Sequence, residues 1–226
     1  MASAIQFSAV HYPESDGKPM GETDRHRNQM VRHIELLTSY FAGQRVYVSG
    51  DLLVYYEQGN PKKFVVPDAF VVKGLEQRDR RIYKIWLEGK APDVVIETTS
   101  RKTRRKDLIH KPQLYARLGV KEYFLFDPDQ EYLDPPLQGH RLIGQEFVQI
   151  EPDVSGALVS EELGLRLYLG NQVVQFERLD NGERLLDADE RSLRDAAALE
   201  QADAARQRAE AEVARLRAEL ARRDRN

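Results

Sequence analysis

An α/β fold is what this sequence predicts, and three observations predict it. Met30, Ile34, Leu37 and Phe41 recur at three- and four-residue steps, the period of a helix with one apolar face. Val94-Val95-Ile96 and Tyr123-Phe124-Leu125-Phe126 are short and apolar throughout, the character of buried central strands. Between those two runs, Leu108, Leu114, Tyr115 and Leu118 fall at spacings that suit one face of a second helix.

Taken in order, residues 1–22 hold Pro13, Gly17, Pro19 and Gly21 among polar residues and read as loop. Thr23 or Asp24 caps the first helix, which runs to about Phe41, with Gly43 just past its end. Val46, Val48, Leu52, Val54 and Tyr56 alternate on either side of Gly50 as strand, and Gly59-Asn60-Pro61 is a turn. A second apolar strand region covers residues 64–72, with Pro67 as an interruption, and 74–81 is a charged loop. The second helix covers 107–118, and Gly119 is placed to stop it. After Asp127-Pro128, residues 140–186 add β-hairpin segments at 147–150, 165–169 and 173–176, with a turn at Asp180-Asn181-Gly182.

Composition changes at Asp187. From there to Asn226 there is no Gly, Pro or aromatic residue, and ten acids stand against nine arginines. The chain therefore divides into a domain over 1–186 and an Ala/Arg/Glu-rich helix over 187–226. Leu199, Arg206, Val213 and Leu220 are seven apart, and Ala202, Ala209 and Leu216 fill the offset. That spacing has two readings, a dimerising coiled coil and a solvated helix; Arg206 on the seam argues for the second.

The 226 residues carry a net charge of −3, so nucleic acid has to be held by a local patch rather than by the whole surface. There is no cysteine, which excludes disulfides, zinc–thiolate sites and cysteine nucleophiles. No stretch has the length of a membrane helix and the N-terminus lacks a basic-then-apolar pattern, so a cytoplasmic location is expected.

The candidate chemistry gathers around the two apolar strands. Asp68 follows Pro67 at a strand start and Glu97 ends the Val94–Ile96 run. Two carboxylates from adjacent strands can hold one hard divalent ion, which activates water and stabilises charge during phosphodiester cleavage. The competing reading makes Asp68 a strand-start residue and Glu97 a solvent-exposed strand end. Asp107 and Lys111 are four apart on one helix face, either as a surface ion pair or with Lys111 orienting water or neutralising a phosphate. Arg101, Lys102, Arg104, Arg105 and Lys106 put five cations in six residues, a solvated loop or a DNA-backbone contact. Ser100 and Thr103 suit capping or donation to phosphate. His26 stands between Arg25 and Arg27 as a structural residue or a water-positioning one. No glycine-rich phosphate loop, Ser/His/Asp pattern or His/Cys zinc spacing is present.

The run Pro92-Asp93-Val94-Val95-Ile96-Glu97-Thr98-Thr99-Ser100, followed by Thr103, Asp107, Lys111, Tyr115, Ala116, Gly119-Val120, Glu122-Tyr123 and Asp127-Pro128, resembles the Uma-two family of the PD-(D/E)XK nuclease superfamily. The resemblance extends to Pro67-Asp68-Ala69-Phe70-Val71-Val72, to Gly164-Leu165 and to Asn181-Gly182-Glu183. It implies a restriction-endonuclease-like core, a central mixed sheet flanked by helices, with extra β-hairpins and a C-terminal helix. It implies magnesium or manganese held by Asp68 and Glu97. The plain superfamily pattern puts a lysine two residues after the second acid; here that residue is Thr99, and the resemblance implies that Lys111 takes the role. Arg101-Lys102 stand where many relatives carry Pro-Ser.

These readings converge on a metal-dependent DNA endonuclease. Asp68, Glu97 and Lys111 form its catalytic set, 101–106 its DNA contact, and His26, Ser100 and Asp107 support it. A homodimer through either segment is open. The alternatives are a DNA-binding or regulatory protein on an inactive nuclease scaffold, and an oligomeric module whose tail acts.

Overall fold

A computed structural model of the chain describes residues 10–15, 17 and 23–223, so Pro19 and Gly21 of the expected N-terminal loop lie outside the described residues. Two compact units are formed, 1–185 and 186–226.

The first unit is built on a six-stranded mixed sheet. Its strands are β1 (Val46–Ser49), β4 (Ala69–Lys73), β6 (Val94–Thr98), β7 (Glu122–Phe126), β8 (Leu137–Ile143) and β9 (Glu146–Gln149), in the order β1-β4-β6-β7-β8-β9. Only the β6–β7 pair is parallel, and its crossover carries helix α3 (Lys111–Leu118). Alternate residues feed opposite faces. Val71, Val94, Ile96, Phe124 and Phe126 join one apolar cluster with Leu36 and Leu37 of helix α1 (Asp24–Tyr40). Phe70, Val72, Val95, Tyr123 and Leu125 join a second cluster with Tyr115 of α3. Both faces of the central strands are thus covered, which is why β6 and β7 are apolar along almost their whole length.

Two small sheets complete the unit. Strands β2 (Val54–Tyr55), β3 (Phe64–Val65) and β5 (Tyr83–Lys84) form one, with a four-residue helix α2 (Ile85–Glu88) after β5. Strands β10 (Leu158–Ser160), β11 (Leu165–Gly170) and β12 (Val173–Arg178) form the other. The expected hairpin material therefore divides: β8–β9 extends the main sheet and β10–β12 stands as its own.

Two local expectations change. Of the expected apolar face of α1, Leu37 and Phe41 are buried and Ile34 packs against the same core, but the buried side also takes in His26, Gln29, His33 and Leu36, so its half nearest the helix start is polar. The second helix begins with a π-helical turn, Lys106–His110. The Lys111 N–H donates to the carbonyl of Lys106, five residues back, and Pro112 has no N–H to offer Leu108. This turn leaves Leu108 exposed rather than packed on the helix face.

The second unit is one helix, α4 (Ala188–Arg223). Asp187 caps it: the Glu190 N–H donates to Asp187 Oδ1, and the Asp187 N–H donates to Glu190 Oε2, a reciprocal capping box. Leu199, Val213, Leu216 and Leu220 on the heptad positions are exposed. Among the described residues, no helix is long and apolar enough to cross a membrane.

Candidate active site

Strand register brings the two acids together. β4 and β6 run antiparallel with Ala69 opposite Ile96, so Asp68, the residue before β4, falls opposite Glu97. The Asp68 N–H donates to Glu97 Oε2 at 3.3 Å, and the Thr98 N–H donates to Asp68 Oδ2 at 2.7 Å. Gly50 makes this approach feasible: a Cβ there would stand 1.9 Å from the Asp68 carbonyl oxygen.

Glu97 is wholly buried, which removes the reading of it as an exposed strand end. Lys111 reaches it from α3, its Nζ 2.7 Å from Glu97 Oε2 and 3.0 Å from Asp107 Oδ1. Asp107 is also buried, so the Asp107–Lys111 pair is internal rather than a surface pair. The other Asp107 oxygen, Oδ2, accepts from the Thr99 hydroxyl at 3.1 Å. The π-helical turn frees the Asp107 carbonyl from the helix ladder, and the Tyr123 hydroxyl donates to it at 2.8 Å. On the remaining side the Tyr115 hydroxyl donates to Glu97 Oε1 at 2.6 Å.

His26 arrives from the first turn of α1, where Thr23 Oγ1 accepts from its backbone N–H as the helix cap. Its Nε2 lies 3.4 Å from Asp68 Oδ2. Ser100 is fixed by capping: the Thr103 N–H donates to the Ser100 hydroxyl and the Ser100 N–H to the Thr103 hydroxyl. The expected basic loop is a loop only in its first half: Arg101 and Lys102 are exposed on the turn after Ser100, while Arg104, Arg105 and Lys106 are exposed on the helical turns that follow. The structure thus gathers His26, Asp68, Glu97, Asp107 and Lys111 at the C-terminal end of β6, with the basic loop leaving from the same end.

Three carboxylates around one ammonium set the electrostatics. Burial raises the Glu97 pKa above the usual carboxylate range; Lys111 opposes this while Asp68 and Asp107 add to it. For Asp68 burial also pushes upward, but the hydrogen bond from His26 and the Lys111 charge outweigh it and the pKa is lowered. Burial would lower the Lys111 pKa, yet Glu97, Asp107 and Asp68 hold it above the usual lysine value, so the ammonium stays charged.

The donor set is all hard oxygen with surplus negative charge, the chemistry a magnesium or manganese ion takes. Among the described residues no three His, Cys, Asp or Glu side chains form a closed metal-binding group. The pair Asp68 and Glu97 instead suits an ion that keeps water and takes substrate phosphate alongside one or two carboxylates.

Gly50, Tyr115 and Tyr123 support this site although the sequence gives them no role in it, and Thr99, which the sequence marks only as the place of the missing lysine, supports it too. The sequence places Tyr115 on an apolar helix face and Tyr123 in an apolar strand; a hydroxyl on a ring that is otherwise buried is the signal of a further role. Gly50 in the middle of an alternating strand pattern is the other.

A crystal structure of a putative nuclease belonging to DUF820, from Anabaena variabilis, is similar at 18% identity, covering 68% of this chain and 86% of that one, with a TM-score of 0.46. No curated protein gives a significant match. A family model for Uma2, described as putative restriction endonuclease, matches residues 7–169, and the chain belongs to that family.

Proposed function

We propose that this protein is a metal-dependent endonuclease that hydrolyses DNA phosphodiester bonds, with Asp68 and Glu97 holding a magnesium or manganese ion. One observation carries the reading: two acids opposed by strand register share a buried pocket with a charged lysine delivered from a helix. The bound ion supplies Lewis acidity to the scissile phosphate. Lys111 keeps its proton and offers N–H donors to the phosphoryl oxygens as charge builds on them. Asp107 holds Lys111 in place, and Tyr115 fixes the orientation of Glu97. A water oxygen forms the new bond to phosphorus as the water gives up a proton to solvent, the ester P–O bond breaks, and the leaving oxygen takes a proton from solvent in return. The loop 101–106 contacts phosphates on either side.

A second reading, DNA binding without cleavage, is favoured by the engagement of both Glu97 oxygens, Oε1 by Tyr115 and Oε2 by Lys111. Supercoiled plasmid incubated with magnesium or manganese separates the two. Nicking by the wild type that disappears in Asp68→Ala supports the nuclease. No cutting by wild type, with plasmid still retarded on a gel, supports binding alone. Equal cutting by both proteins refutes the assignment of Asp68.

A further inference from the structure

The loops that follow β6 and β7 leave the same end of the sheet, because these strands are parallel and paired from Val94–Glu122 to Thr98–Phe126. The first is the basic loop. The second, residues 127–136, is built around the buried carboxylate of Asp127. Asp127 Oδ1 accepts the N–H groups of Asp129 and Gln130, both at 3.1 Å. Its Oδ2 accepts those of Tyr132 at 2.5 Å and Leu133 at 3.0 Å. Arg25, the neighbour of His26, ties the loop to α1 by donating to the Pro128 carbonyl at 3.0 Å and to Asp129 Oδ1 at 3.1 Å.

This framework fixes the backbone of Tyr132, while the side chain reaches the basic loop. The Arg104 guanidinium stands 5.5 Å from the Tyr132 ring centroid. The Tyr132 hydroxyl hydrogen-bonds to Glu131, which with burial and the Asp129 charge raises its pKa, while the Arg101 charge acts in the opposite sense. An aromatic ring is therefore held with the Arg104 guanidinium over it and the carboxylates of Glu131 and Asp129 at its hydroxyl end, six residues past the end of β7.

We infer that Tyr132 and Arg104 form a stacking platform for an unpaired nucleobase, so the DNA this site takes is single-stranded or carries unpaired nucleotides beside the scissile bond. The inference rests on the nuclease reading above. A base inside a duplex has both faces covered by its neighbours, so a ring on a loop meets a base face only when that base is unpaired or turned out. Every base has such a face, so the platform reads no sequence, and a guanidinium against the ring adds cation–π attraction. Arg101, Lys102, Arg105 and Lys106 neutralise the phosphates on either side.

Fluorescence anisotropy in EDTA, where cleavage is blocked, tests the platform with the full-length protein. The probes are a short labelled single strand, its duplex, and that duplex with a gap. Tyr132→Ala is expected to weaken binding of the single strand and the gapped duplex by about tenfold or more, and to leave the intact duplex within about twofold. Tyr132→Phe keeps the π face and is expected to bind like wild type. Tyr132→Leu keeps apolar bulk without that face and is expected to lose as much as Tyr132→Ala. Equal loss on all three probes, or no loss on any, overturns the platform. A wild type that binds the intact duplex but not the single strand overturns it too, while leaving the nuclease reading standing. A wild type that binds no probe overturns the platform, while the nuclease reading stands or falls on plasmid cleavage with magnesium or manganese.

Discussion

Replacing Lys111 by Met tests the charge balance of the site directly. Lys111 Nζ stands 2.7 Å from one Glu97 oxygen and 3.0 Å from one Asp107 oxygen. The two carboxylates are 0% and 1% exposed at the side chain, so water does not replace the lost ammonium. Met fills most of the space of the Lys stem, which leaves the missing charge as the main change. Breaking a buried pair by removing one partner costs about 3–5 kcal/mol. In a unit of this size each kcal/mol moves the unfolding midpoint by about 2–4 °C, which gives a fall of about 6–20 °C. Circular dichroism melting of wild type and Lys111→Met, both in EDTA at neutral pH, reads it. Adding Glu97→Gln places a neutral group where burial already favours the neutral acid once Lys111 is gone, so the double variant is expected to be less destabilised than the two single changes sum to. A Lys111→Met midpoint within about 2–4 °C of wild type, a change of about 1 kcal/mol, refutes the claim that Lys111 neutralises the pocket.

Three further outcomes are expected. Gly50→Ala forces a Cβ to within 1.9 Å of the Asp68 carbonyl unless the strands part, so it should lower the melting point and abolish plasmid nicking together. If it melts and cuts like wild type, Gly50 does not set the approach of Asp68. Tyr115→Phe leaves Glu97 Oε1 without its donor, which should cost about 1–3 kcal/mol and raise the magnesium concentration for half-maximal cleavage. An unchanged magnesium requirement would assign Tyr115 to packing alone. His33 is wholly buried, against Phe126 and Phe176, and burial lowers its pKa from 6.5 to about 3. Its unfolded form takes up a proton below pH 6.5 while the folded form resists, so its contribution is complete above pH 6.5 and declines toward pH 3. The slope is about 1.4 kcal/mol per pH unit. Chemical denaturation in steps of pH should therefore show a shallower acid slope for His33→Leu than for wild type, and parallel slopes would disprove the burial argument.

The sequence made the scaffold readable where one period dominated. The first and second helices, β6, β7 and the Gly119 stop all follow from apolar spacing and a single turn residue, and the structure has them. It was silent on β5 and α2, which span only Tyr83–Lys84 and Ile85–Glu88 and are too short to establish a period. On α1 the apolar line finds Leu37, Phe41 and the core-packed Ile34 but misses the polar half of the buried face: His26, Gln29 and His33 face inward, and polar residues carry no hydrophobic signal. The site divides the same way. Asp68 and Glu97 are 29 residues apart, and no local pattern states that β4 and β6 pair in the register that opposes them. Only the Asp107–Lys111 spacing was local, and the chain alone left its depth open between surface and interior.

The role proposed for Lys111, a helix lysine where the plain superfamily pattern has a strand lysine, draws support from the position two residues after Glu97. Glu97 and Thr99 share strand parity, so Thr99 turns toward the same side, and its hydroxyl donates to Asp107 Oδ2 at 3.1 Å. Asp107 Oδ1 in turn holds Lys111. The strand residue has therefore not fallen out of the site; it anchors the carboxylate that holds the lysine. The arrangement needs the π-helical turn, because the freed Asp107 carbonyl is what Tyr123 takes up. If this is the logic of the pocket, an ammonium delivered from position 99 should substitute for one delivered from 111. Thr99→Lys in a Lys111→Ala background tests it, since the alanine opens the space the new side chain needs. Overpacking costs about 1–3 kcal/mol, against about 3–5 kcal/mol for the stranded carboxylates, so the double variant should melt above Lys111→Ala alone. It should also regain part of the plasmid nicking. A double variant that melts no higher than Lys111→Ala shows that the pocket accepts its cation from the helix only.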